Sequence, residues 1–460
     1  MNPPKLTDAL TDVGPGTSSA VDTRFFGHPR GLATLFFTEM WERFSYYGMR
    51  AFLLYYMTAS AAAGGLGFTD AQGASAYGTY TGSAWGASII GGLIADRFLG
   101  QYRSVFWGGV LIMLGHLSLV FPPVPFFYTG LALVVAGTGL LKPSVSTLVG
   151  SLYEQGDRRR DAGFSIFYMG INSGAILGPI IAGYVAQRID WHLGFGCAAV
   201  GMAFGLSQYV LDRRHLQPAI DRMAAERAAR AAQTSASAPG TSVALNSGEW
   251  SRVIAIFVLF AFATLFWAGY EQAGSTLALI ADRNTRLELL GIGFPSSWLQ
   301  SLQPIFVVLL APIFAWLWLR LGPREPSVPA KFALGLMFMG LAFVVMMPAG
   351  AALDADTALK ISPWPLVFWN LFSELAELSI SPVGLSAITK LSPARLVGLM
   401  MGVWFLSLAF GNKLAGSLAA YVETMPLYTM FSSIAGVLVG AAVIMFLLVR
   451  PVRRLMGNVK

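Results

Sequence analysis

The chain has 460 residues, 55 % of them hydrophobic and only 12 % charged, with a mean hydropathy of +0.60 and a net charge of +7. That composition excludes a water-soluble globular protein and implies an integral membrane protein. The positive charge calls for no nucleic-acid partner, because a basic rim on one side of a bilayer is what membrane orientation alone produces.

A hydrocarbon core of about 30 Å needs roughly 20 apolar residues per helix. Twelve such segments are expected, near 31–59, 76–95, 104–121, 126–150, 163–187, 193–211, 251–281, 297–320, 330–350, 363–389, 395–421 and 427–449. Lysine and arginine favour the cytoplasmic side of short loops. Of the 31, four fall in odd-numbered loops (Arg188, Arg283, Arg286, Lys360) and four well inside helices (Arg43, Arg50, Lys142, Lys413), with Arg252, Arg320, Lys331 and Arg395 at segment ends counted with the loops they flank. The remaining 23 lie in the N-terminal segment, the even-numbered loops and the C-terminal tail, so both termini are expected to be cytoplasmic. Residues 1–27 lack the apolar core of a signal peptide, and the first helix is expected to insert uncleaved. The single cysteine, Cys197, excludes an intramolecular disulfide.

The first segment contains TEMWERFSYYGMR, residues 38–50, which puts four charges where a membrane helix should have none. Glu39, Glu42, Arg43, Tyr46, Tyr47 and Arg50 fall within roughly 140° of one helix face at about 100° per residue. Each unpaired charge at mid-membrane costs on the order of 2.5–3.5 kcal/mol, so these residues must face a protein-lined or watery cavity, pair with one another, or become neutral.

Further along, LKPSV at 141–145 and ISPVG at 380–384 place a proline inside the fourth helix of each half, freeing carbonyls and permitting bends. Gly170, Gly174 and Gly178 form a small-residue stripe suited to close helix packing. Residues 212–250 break the apolar pattern, reading as a basic amphipathic helix on the membrane surface followed by a polar linker. The expected organisation is a cytoplasmic N-terminal segment (1–30), a six-helix bundle (31–211), a cytoplasmic linker (212–250), a second six-helix bundle (251–449) and a cytoplasmic tail (450–460). ATLF recurs at 33–36 and 263–266, each time shortly before an aromatic-Glu pair, consistent with a duplication. Two such halves suit a transporter whose site lies between them at the midplane.

More buried charge follows: Lys142 in helix 4, Glu271 in helix 7, and Glu374 and Glu377 in helix 10. The first half thus supplies Arg43, Arg50 and Lys142 and the second Glu271 and Glu377. A cleft between them would be positive on one wall and negative on the other, suiting a zwitterion. An enzyme is not expected, since His28, His116, His192 and His215 form no metal-spaced cluster and neither Gly-x-Ser-x-Gly nor His-Glu-x-x-His occurs. GTGLLKPS is no phosphate loop, lacking the second glycine and the Gly-Lys pair.

These residues resemble a family. ExxERFxYYGMR at 39–50, GGLIADRFLGQYRS at 91–104, GTGLLKPSVS at 137–146, RDAGFSIFYMGINSGA at 160–175, SSWLQSLQPIF at 296–306 and ELSISPVGLS at 377–386 are similar to motifs of the proton-dependent oligopeptide transporters, within the major facilitator superfamily. The resemblance implies an all-α fold of twelve transmembrane helices and proton-coupled import of di- and tripeptides by alternating access. It implies no cofactor or metal beyond the coupling proton, a functional monomer in the cell membrane, and no partner other than peptide and lipid. It assigns proton coupling to Glu39, Glu42, Arg43, Arg50, Lys142 and Glu271. It assigns substrate contact to Arg43, Tyr46, Tyr47, Trp85, Lys142, Asn172, Trp267, Gln303, Glu377, Ser381 and Trp404, with Glu377 facing the peptide's amino end. Lys142 and Arg50 are implied to exchange salt bridges with Glu271. Trp85, Ser88, Gln303, Ala376 and Glu374 depart from the family pattern and bear on the range of cargo. Another small solute, such as nitrate, an amino acid or a peptide-like compound, is the alternative, as is a peptide sensor that does not transport. Many bacterial members insert two extra helices between the halves, which the polar 212–250 segment cannot supply.

Overall fold

A computed structural model describes residues 22–154, 157–236, 246–289, 291–393 and 396–457. Most of the expected N-terminal segment (1–21), part of the linker (237–245) and the end of the tail (458–460) lie outside the described residues.

The first half consists of α1 (Arg30–Thr58), α2 (Asp70–Ile94), α3 (Gln101–Leu119), α4 (Val124–Ser151), α5 (Arg160–Arg188) and α6 (Trp191–Leu211). A polar helix, α7 (Arg213–Ala236), follows. The second half comprises α8 (Ser247–Tyr270), α9 (Thr276–Arg283), α10 (Leu302–Leu321), α11 (Val328–Ala355), α12 (Trp364–Leu391), α13 (Val397–Ala419) and α14 (Leu427–Met456). Local signals set several starts. Thr69 with Gln72 and Asn246 with Glu249 form reciprocal capping boxes on α2 and α8, and the Asp190 carboxylate accepts from the backbone of His192 and Leu193 at the head of α6. The end where α1 begins is here the base of the bundle and the opposite end the top.

Nine helical stretches are long and apolar enough to cross a membrane on composition alone, among the described residues. α1, α2 and α3 are of spanning length as well, but their charges, glycines and small polar residues dilute the apolar signal. The chain is a helical, multi-pass membrane protein.

Three expectations need correction. The segment expected as one helix over 251–281 breaks at its charged residue: α8 ends at Tyr270, Glu271–Gly274 form a 3-10 turn, and Ser275 leaves the helical region before α9 resumes. The apolar runs before Glu271 and after Thr276 merge in a window of membrane-helix length, so hydropathy reads the short polar stretch between them as part of one span. At 297–320 a 3-10 turn, Ser296–Ser301, precedes α10. The expected tail is helical to Met456, because α14 runs past residue 449. A two-stranded hairpin, β1 (Glu288–Leu289) with β2 (Ile292–Gly293), decorates the top.

α7 is helical as expected, but it docks on the first half. Leu216 and Ala219 are buried, the Arg222 guanidinium donates to the carbonyl of Ser151 at the end of α4, and that of Arg227 donates to the carbonyls of Ala95 and Asp96. Those two carbonyls belong to a π-helical turn, Ala95–Leu99, that ends α2. Gly100 closes it at φ 77°, a backbone conformation that disfavours any side chain.

The glycine stripe of α5 seats on the backbone of α1. A Cβ at Gly174 would lie 2.2 Å from the Met40 carbonyl oxygen, one at Gly178 2.5 Å from that of Phe44, and one at Gly170 2.9 Å from that of Phe36. Only glycine permits this approach, which fixes the charged face of α1 relative to α5. Above and below it, two apolar clusters form the core of the first half, around Phe52, Tyr56 and Phe195 and around Leu35, Ile112 and Leu148. One larger cluster, around Phe266, Phe343 and Trp369, holds the second half.

Candidate functional site: a charged cavity between the halves

The polar residues of α1 face a cavity of about 330 Å3 between the halves, within the range of roughly 300–1,000 Å3 that holds a small organic solute. From the first half it is lined by Glu39, Arg43, Tyr47 and Arg50 of α1, Trp85 of α2, Lys142 of α4 and Asn172 of α5. The second half contributes Trp267, Glu271, Gln303, Glu377, Ser381 and Trp404. The break after α8 puts Glu271 at this wall, and Pro143 and Pro382 follow Lys142 and Ser381 inside their helices.

Two of the expected site residues lie behind the lining. Glu42 is fully buried and paired with Arg43. Tyr46 packs edge-on against Tyr47 and tilts over Tyr80 of α2. The arc that holds all six residues of the α1 face is wider than the strip open to the cavity, so its edge faces neighbouring helices.

The charges divide into three groups. Arg43 finds its ion-pair partners within its own helix: its Nε donates to Glu42 and lies 3.2 Å from Glu39 Oε1, and its guanidinium sits 5.2 Å from the Tyr46 ring centre. Arg50 reaches across the interface to Glu271, while its Nε donates to the Tyr77 hydroxyl at 2.6 Å. Among the described residues Lys142 has neither kind of partner; its Nζ stands 3.6 Å above the centre of the Trp85 ring, a cation–π contact. Trp85 in turn stacks on Phe405 of α13. Of the two partners expected to alternate on Glu271, Arg50 is the one paired with it in this structure.

On the opposite wall, the Tyr270 hydroxyl lies 2.6 Å from Glu377 Oε2 and 2.9 Å from Glu374 Oε1. Sequence reasoning missed Tyr270, Tyr168, Gln300 and Phe405 as lining residues and Tyr77 as the partner of Arg50. The one available signal was position, because Tyr270 directly precedes Glu271 and Tyr168 lies one helical turn before Asn172. Several polar atoms around the cavity, including Arg43 Nη2, Trp267 Nε1 and Gln303 Nε2, are enclosed without a hydrogen-bond partner among the described residues.

Above the cavity the halves are bolted together. Arg283 pairs with Asp70 at 2.6 Å, the Asp70 backbone donates to Glu423 at 2.7 Å, and Lys413 donates to Thr79 at 2.7 Å. Gln187 of α5 bridges Asp282 and Ser296, and Gly78 of α2 meets Gly416 of α13 backbone to backbone. Among the described residues, every hydrogen bond and ion pair that joins the halves lies at or above the cavity.

The family model described as the POT family (PTR2) matches residues 102–220 and 219–434. An uncharacterized transporter, YclF, of Bacillus subtilis is 42 % identical, over 95 % of this chain and 96 % of its own. A di-/tripeptide transporter of Lactococcus lactis subsp. cremoris is 36 % identical, over 95 % of this chain and 98 % of its own. A solved structure of a peptide transporter in complex with alafosfalin superposes with a TM-score of 0.85 at 41 % identity, over 95 % of this chain and 98 % of that one.

Proposed function

The chain belongs to the POT family, and from that premise we propose that it is a proton-coupled symporter importing di- and tripeptides by alternating access. The observation that carries this is the cavity's polarity, with Lys142 and Arg43 on one wall and Glu377 on the other. A zwitterion held between them bridges the two halves. Lys142 is free to receive a carboxylate because Trp85, not an acid, covers it. Glu377 receives the ammonium, and Tyr47, Asn172, Trp267, Gln303, Ser381 and Trp404 shape the space between.

In this reading α1, α2 and α3 also span the membrane, giving twelve helices with both termini in the cytoplasm, and the top is the outer face. The 31–211 and 251–449 bundles rock about the site as a monomer. With the outer face closed, the Arg50–Glu271 pair is the bolt. A proton on Glu271 releases Arg50 and permits the outer gate to open, while Glu39 and Glu42 exchange protons against Arg43. A proton moving down about 1 pH unit and about 100 mV yields about 3.7 kcal/mol, enough to concentrate a neutral solute a few hundredfold. No nucleotide or metal cofactor is then needed, and no enzymatic step.

The test is uptake of labelled dialanine into liposomes carrying the purified protein, under an imposed inward proton gradient, with Glu42→Gln and Glu377→Gln alongside. Concentrative uptake that an uncoupler abolishes, and that both variants lose, supports the reading. Absence of uptake and of competition by dialanine in the folded wild type overturns peptide as cargo and points to another small solute, with Trp85 and Gln303 as the residues that divert it. Nitrate fits least well, since it gives Glu377 no partner.

A further inference from the structure

Glu374 lies outside the lining just described, is fully buried, and has no part in the mechanism above. It sits one turn before Glu377 on α12, and the carboxyl oxygens of both residues lie within hydrogen-bond distance of one phenol oxygen, that of Tyr270. A single phenol proton can serve both contacts only as a weakened three-centre bond. Two full hydrogen bonds among these three oxygens need a second proton, and a carboxyl group is its source.

The geometry says which. The contact to Glu377, 2.6 Å, is shorter than that to Glu374, 2.9 Å, the order expected when the phenol donates to an ionised Glu377 and accepts from a neutral Glu374. Glu374 Oε2 is enclosed without a hydrogen-bond partner among the described residues, an arrangement far less costly for the carbonyl of a neutral acid than for a carboxylate. No basic group among the described residues forms an ion pair with either acid. On α8 the nearest titratable groups are Tyr270 itself and Glu271, which is bound to Arg50. Across the cavity stand Tyr168, Tyr47, Arg43 with its two glutamates, and Lys142 over Trp85. On α13 Lys413 donates to Thr79, and on α11 Lys331 pairs with Glu325 at the base. α10 brings Gln303 to the cavity and carries Arg320 in its last turn, at the base.

We propose that Glu374 is a resident proton holder: its carboxylic O–H donates to the Tyr270 oxygen, the Tyr270 O–H donates to Glu377, and the acid end of the cavity therefore carries one negative charge instead of two. Resting on the reading that Glu377 receives the substrate's amine, this matches the pocket to a single ammonium and disfavours a second positive charge beside it.

Infrared spectroscopy of the purified full-length protein near pH 7, without substrate, tests this directly through the C=O stretch of protonated carboxylic acids, identified by its shift in heavy water. Glu374→Gln should lose the intensity of one such group relative to wild type; equal intensity overturns the proposal. Tyr270→Phe keeps both acids and removes the phenol, so the band should move in frequency, and an unmoved band equally overturns it. Neither measurement uses a peptide. If dialanine fails as cargo, the proton on Glu374 is still decided.

Discussion

Arg43 and Arg50 lie two turns apart on one face of α1, yet they live differently. Arg43 finds both its carboxylates, Glu39 and Glu42, on its own helix, whereas Arg50 finds Glu271 on the other half of the molecule. A charge satisfied within one helix travels with that helix and is indifferent to how the halves stand. A charge satisfied across the interface must be released whenever the halves separate at the top. The contrast teaches that buried charge in this protein is partnered in two ways, within one helix or across the bundles, and that only the second kind depends on how the bundles stand.

Removing Arg43 breaks this comparison most severely. Arg43→Ala leaves two buried carboxylates without their cation, a loss expected to cost about 3–5 kcal/mol, seen as a large fall in the thermal midpoint of the detergent-purified protein. An unchanged midpoint would show that Glu39 and Glu42 neutralise themselves by other means. Gly174→Leu attacks the seam that aims the same face. With a Cβ forced against the Met40 carbonyl, about 1–3 kcal/mol or more of overpacking is expected, again read in the thermal midpoint, and a midpoint equal to wild type would mean that α5 slides freely along α1.

Glu271→Gln sharpens the contrast. Arg50 keeps the Tyr77 hydroxyl and loses its carboxylate, so the stability cost should be smaller, about 1–3 kcal/mol, but the bolt at the top should slip. Labelling of a cysteine introduced at Thr79 should quicken relative to the same cysteine in the wild-type background, while Arg43→Lys leaves that rate alone. Equal rates in all three would remove the distinction between the two arginines. The smallest effect belongs to Asp70→Asn. Arg283 is 42 % exposed, so this pair is screened by water, and about 0–1 kcal/mol is expected, shrinking further in high salt.

How much of this is legible in the sequence depends on how far apart the interacting residues are. Glu39 with Arg43 is an i, i+4 pair, and the glycine stripe of α5 repeats every four residues, so both follow from helical periodicity alone. Arg50 and Glu271 are 221 positions apart, and only resemblance to a family links them. Tyr270 with Glu374 and Glu377 escapes even that, because a phenol in an apolar helix reads as packing until the facing helix is in place. The break at Glu271 is hidden because its short polar stretch, Glu271 to Thr276, is bracketed by two longer apolar runs that read as one span, and the docking of α7 by the fact that its two anchoring arginines bond to backbone carbonyls, which have no residue signature.

The seam between α1 and α5 also bears on how a transporter of this build changes its diet over generations. At Gly170, Gly174 and Gly178 the neighbouring backbone leaves no room for a side chain, so drift there is closed off, and the aim of Arg43 and Arg50 is inherited intact. Trp85, Gln303 and Glu374, where this chain departs from the pattern it resembles, all lie away from that seam. Residues in the cavity wall and behind it can therefore be exchanged one at a time without losing the frame that holds the charges in place.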